Sequence, residues 1–80
     1  MPDKFDLLTR ARTEALFAST VETGATLNRE ATDRAIRDAT RAHHGIRGCA
    51  AKMGGAYGES PHSTVVRLQW ARRTVLANYP

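Results

Sequence analysis

His62, Ser63, Thr64 and Arg67 stand within two turns of a Ser60-Pro61 pair, in the segment SPHSTVVRLQW. Serine is a favoured helix N-cap, and proline suits the first helical turn, where its missing N–H is no loss. A hydroxyl pair, an imidazole and a guanidinium are therefore expected on the opening turns of one helix. When a helix enters a DNA groove, residues of those turns touch base edges, and an arginine there can make two parallel hydrogen bonds to a guanine. Arg47, Lys52, Arg72 and Arg73 could neutralise phosphates, helped by the free N–H groups near Ser60. The same side chains have an ordinary reading too: Arg67 as a solvated helix arginine and His62 as an exposed first-turn residue.

The charge distribution favours a polyanion. Residues 1–40 hold six basic and seven acidic side chains, net −1, whereas residues 41–80 hold six basic ones and only Glu59 acidic, net +5. A concentration of one sign in half a chain gives a nucleic acid somewhere to dock, although a small domain can also carry its solubilising charge unevenly.

Other chemistries find little support. His43, His44, Cys49 and His62 match no zinc-ligand spacing. Cys49 sits beside Ala50 and Met53, which suggests a buried thiol and not an activated nucleophile. Gly54-Gly55 follows no strand and makes no phosphate loop. Trp70 could stack on an unpaired base, but with five aromatic residues in the chain it is expected in the core or an interface. No enzyme activity, metal or cofactor is expected.

The elements that must position these residues all show the helical period. Asp3 can cap a first helix running to about Ser19, with Phe5, Leu8, Ala11, Ala15 and Leu16 on one stripe. Residues 21–27 read as a loop. Asn28 can cap a second helix through about His44, with Gly45 where helices commonly end. Its Ala31, Ala35, Ile36, Ala39, Ala42 and His43 share one side, and its opposite side mixes charges in i, i+4 pairs such as Asp33 with Arg37. A third helix starts at Ile46 and places Ile46, Cys49, Ala50, Met53, Ala56 and Tyr57 on one face. Gly54 and Gly55 each weaken it by about 1 kcal/mol relative to alanine, and Gly58 is expected to stop it. The fourth helix, capped by Ser60, should run to about Ala77. It carries two apolar stripes, Val65-Leu68-Ala71-Val75-Leu76 and Val66-Trp70-Ala77, which makes it either central to the fold or part of an oligomer.

The run AIRDATRAHHGIRGCAAKMG, residues 35–54, resembles the start of a Fis-type helix-turn-helix. In that family a helix ends in a short Gly-containing turn, and a small-residue helix begins with paired alanines after an arginine. Ile36, His44, Gly45, Arg47, Ala50, Ala51, Met53 and Gly54 carry the likeness, while Ser60 and Thr64-Val65 stand for the cap and Thr-Val pair of a recognition helix. The residues GAYGE, 55–59, intervene as a longer turn. The resemblance implies a DNA-reading helix pair in the C-terminal half.

The expected fold class is therefore all-α, a single domain over residues 1–80 built as a small bundle of about four helices. The apolar and charged fractions, 41% and 25%, are those of a globular protein. No apolar run approaches the roughly 18 residues of a membrane span, and the N-terminus lacks the pattern of a secretory signal, so no membrane partner and a cytoplasmic location are expected. A lone cysteine fits a reducing compartment. A chain this short buries only about 60% of its unfolded surface, and with the Val66-Trp70-Ala77 stripe this suggests a homodimer. The leading expectation is a small protein that binds double-stranded DNA, as a regulator or as an accessory factor of a phage or mobile element. The alternative is a helical protein-interaction module that acts as an adaptor or inhibitor of a protein partner.

Overall fold

The computed structural model describes residues 6–80 and consists of four helices: α1, Leu7–Ala18; α2, Arg29–Ala42; α3, Ile46–Glu59; and α4, Pro61–Asn78. Among the described residues there is no strand. The chain is an all-α bundle.

The expected cap Asp3 and the stripe residue Phe5 lie outside the described residues. Asp6 caps α1 instead, its carboxylate accepting the Thr9 N–H at 2.8 Å. The far end of α1 closes at Ser19, whose N–H and hydroxyl both donate to the Leu16 carbonyl, at 3.1 and 2.6 Å.

It is α1, and not α4, that is central. Ala15, Leu16, Phe17 and Ala18 are all buried, although four consecutive residues point to every side of a helix. This end of α1 must therefore be surrounded. Leu16 and Phe17 pack with Ala35 of α2 and with Trp70, Ala71 and Val75 of α4, while Ala15 and Ala18 meet Cys49 of α3. Small side chains at Ala15, Ala18, Ala35 and Ala71 let the helices come close.

Trp70 belongs to this core, with 4% of its surface exposed, and its Nε1–H donates to the Ala25 carbonyl at 2.9 Å. The loop between α1 and α2 thus covers Trp70, the middle residue of the second stripe of α4. That corrects the expectation of one continuous dimer stripe: Trp70 is intramolecular, whereas Val66 and Ala77 are exposed. Tyr57, which spacing sets on one face of α3 with Met53, is also exposed, while Met53 is partly buried.

Asn28 caps α2 as expected, accepting the Ala31 N–H at 2.8 Å. The helix ends through two crossed hydrogen bonds, Gly45 N–H to the Thr40 carbonyl at 2.7 Å and His44 N–H to the Arg41 carbonyl at 3.4 Å. This is a Schellman closure in which His44, at φ 61°, takes the left-handed position usually held by glycine. Gly45 follows at φ 106°. The chain turns so sharply that a side-chain carbon on Gly48 would lie 1.5 Å from the His43 carbonyl oxygen. Only glycine fits there.

On the outer side of α2, Asp33 pairs with Arg29 at 3.7 Å and not with Arg37, and Glu30 pairs with Arg34 at 3.4 Å. The C-terminal segment draws Asp33 and Arg29 in: Tyr79 hydrogen-bonds Asp33, and its ring is sandwiched by the guanidinium groups of Arg12 and Arg29, 3.8 and 4.2 Å from the centroid. This joins the chain end to α1 and α2.

The longer turn expected at residues 55–59 does not exist. These residues complete α3, which runs through Gly54, Gly55 and Gly58, and Ser60 alone links it to α4. Ser60 N–H donates to the Ala56 carbonyl at 2.8 Å and the Ser60 carbonyl accepts the Thr64 N–H at 3.0 Å, so one residue closes one helix and opens the next. Its hydroxyl, expected to cap α4, makes no capping bond.

Candidate nucleic-acid interface

Lys52, Ser63, Thr64 and Arg67, drawn from two helices, line one depression of about 300 Å³ beside Ser60 and the C-terminal end of α1. The single-residue link at Ser60 produces this arrangement, because it holds the last turns of α3 against the first turns of α4. Ser63 and Lys52 are exposed at its edge. No side chain caps the first-turn N–H groups of α4, and the partial positive charge of a helix N-terminus adds to that of Lys52. Glu59, also on the wall, is the one carboxylate among the lining residues.

The deeper residues are engaged within the fold. Thr64 is buried and its hydroxyl donates to the Ser60 carbonyl at 2.8 Å. Arg67 spans to the end of α1: Nε donates to the Phe17 carbonyl at 2.7 Å, Nη2 to the Ser19 carbonyl at 2.9 Å and Nη1 to the Thr23 hydroxyl at 2.9 Å. Its guanidinium also lies 5.0 Å from the Trp70 ring centroid. Burial holds its pKa below the usual arginine range. The expected base-reading fork is thus already taken up by acceptors of its own chain, which satisfies carbonyls that a helix end leaves open.

The other expected residues are dispersed. His62 and Arg73 are exposed on the outer strip of α4 with Val66 and Gln69, at spacings of four, three and four residues. Arg72, one position on from the buried Ala71, lines a different groove with Arg10 and Glu14. Arg47 is exposed in the first turn of α3.

The charged side of α2 reads in the sequence as i, i+4 pairs of mixed sign. In the structure Arg29 and Arg34 are paired, but Arg37 and Arg41 are exposed with no carboxylate at ion-pair distance among the described residues. Arg41, His44 and Arg47 bracket the three-residue turn between α2 and α3. The signal was present: Asp33 has arginines at both i−4 and i+4 and can serve only one well.

Among the described residues no three of His, Cys, Asp and Glu gather as metal ligands. His43 faces inward, its Nε2 3.1 Å from the Ala18 carbonyl oxygen. Cys49 is fully buried, and desolvation raises its pKa. No helix of the described residues is long and apolar enough to cross a membrane. No family model, curated protein or solved structure matches the chain.

Proposed function

We propose that the protein binds double-stranded DNA chiefly through phosphates, with little discrimination between sequences. The observation that carries this reading is the meeting of Lys52 and Ser63 at the uncapped N-terminus of α4. A phosphate oxygen there would meet an ammonium group, a hydroxyl and helix N–H donors together. Arg73 on the outer strip of α4 extends the positive surface, with the exposed His62 imidazole on the same strip as a hydrogen-bonding group, and Arg47 with Arg41 supplies a second one at the α2–α3 turn. The three-residue connection between α2 and α3 has the length usual in a helix-turn-helix, while the one-residue link before α4 is shorter than the resemblance implies. Base reading by Arg67 and Thr64 is not part of the proposal, since both side chains are committed to the fold.

The test is a titration of labelled duplexes of differing sequence by fluorescence anisotropy over a range of salt. Lys52→Ala and Arg73→Ala should weaken binding to every sequence alike, each reducing the salt slope by about 1. Absence of duplex affinity even near about 50 mM salt, where phosphate contacts are strongest, ends the reading.

A second reading, a protein-interaction module, is favoured by a separate feature, the apolar groove formed by Met53, Val65 and Leu68.

A further inference from the structure

Among the described residues, two surface features lack an internal counterpart. The first turn of α1 leaves two large apolar side chains in the open, Leu7 81% and Leu8 57% exposed, next to the Asp6 carboxylate. Between α1, α3 and α4 lies a groove of about 390 Å³ with Met53, Val65 and Leu68 as its apolar part and Arg10 among its rim residues. Val65 is 41% exposed there.

The two features adjoin. Leu7, Arg10 and Glu14 succeed one another at spacings of three and four residues on one stripe of α1, and Arg10 and Glu14 line the groove. A knob and a socket on one side of a chain allow a closed two-fold pair, because each copy can offer its knob to the other's socket at the same time.

We propose that this face is a homodimer interface in which the Leu7-Leu8 turn of each copy enters the Met53-Val65-Leu68 groove of the other. Asp6, beside the knob, then approaches Arg10 of the groove, an opposite charge, while the groove's Glu14 lies one turn further along α1. The interface replaces the stripe through Val66 and Ala77, whose middle residue Trp70 is in the core. It does not depend on DNA binding and stands or falls separately.

The test is sedimentation equilibrium of the full chain over a concentration series, since mass action makes dimer content concentration-dependent. Wild-type protein should show twice the chain mass at the upper end. Leu7→Asp and Val65→Asp alter exposed side chains and should leave the helical spectrum intact, while each weakens self-association by at least about tenfold, as loss of a central apolar anchor does. The decisive arm mixes these two variants. One retains its socket and the other its knob, so the mixed pair keeps one undamaged contact and should associate more strongly than either variant alone. A monomer at every concentration, which would leave the groove to another protein, overturns the proposal. So does a dimer disrupted by Val66→Asp but indifferent to Leu7→Asp and Val65→Asp, or a mixture no stronger than its components.

Discussion

Arg67 and Phe17, fifty positions apart in the chain, are joined by a 2.7 Å hydrogen bond from the arginine Nε to the phenylalanine carbonyl. With the bonds to Ser19 and Thr23, this makes Arg67 a clamp on the end of the central helix, where the carbonyl oxygens and the helix dipole favour a cation. Arg67→Ala should therefore destabilise the fold by about 2 to 3 kcal/mol, since charged hydrogen bonds are lost and carbonyls left unpaired. Arg67→Lys should recover only part of this, because an ammonium cannot reproduce the planar fork. Urea unfolding followed by circular dichroism measures both. Under the proposed function, the folded fraction of Arg67→Ala should bind duplexes as wild type does.

The glycines of α3 divide sharply. Gly48→Ala places its new carbon 1.5 Å from a backbone oxygen, a conflict that no rotamer relieves, so a loss of at least about 3 kcal/mol is expected, at the upper end of overpacking costs. Gly54→Ala and Gly58→Ala meet nothing within 4 Å. Each should gain up to about 1 kcal/mol from helix propensity. Thermal melts of the three variants should move in these opposite directions.

His44 occupies a left-handed conformation at φ 61°, which costs a side-chain-bearing residue about 1 to 2 kcal/mol relative to glycine, less the extra entropy glycine loses on folding. His44→Gly should raise the urea midpoint, by a stability gain of about 0.5 to 1 kcal/mol. A lower midpoint would mean that the imidazole makes a contribution larger than the strain.

The Cys49 thiol of α3 is sealed against α1 and α2, so a thiol-specific disulfide reagent should label it only as fast as the protein opens. Its pKa is raised by burial from an ordinary value of 9.0, and that of Tyr79 is raised from 10.0 by burial and then by Asp33. For both acids the folded state holds the proton more tightly than the unfolded chain. Their contribution is complete below those ordinary values and declines as pH rises past 9 and then 10. Denaturation midpoints measured from pH 8 upward should fall, and Tyr79→Phe should flatten the upper part of that decline.

The sequence by itself determined the helices, because their signals are local. Asn28 can cap only the segment after it, Pro61 fits only a first turn, and the period of Ala35, Ile36 and Ala39 belongs to one strand-free segment. Its errors were at joints and partners. Gly58 reads as a stop, yet α3 runs through it to Glu59 and closes at Ser60, whose N–H donates to the Ala56 carbonyl, so a propensity cost of about 1 kcal/mol does not end the helix. Spacing put Ala15 and Leu16 on one stripe of α1 and two stripes on α4, which suggested a different centre from the one that burial of all of Ala15 to Ala18 shows. Nothing local reveals that the 19–28 loop covers Trp70 or that Arg67 reaches the carbonyls of Phe17 and Ser19. Those contacts join residues 45 to 50 positions apart, and only the folded chain brings them together. The candidate site shares this division: its residue types were legible, whereas the choice between an arginine that reads DNA and one that clamps a helix end was made by tertiary structure, because a guanidinium partly removed from water must take the acceptors around it.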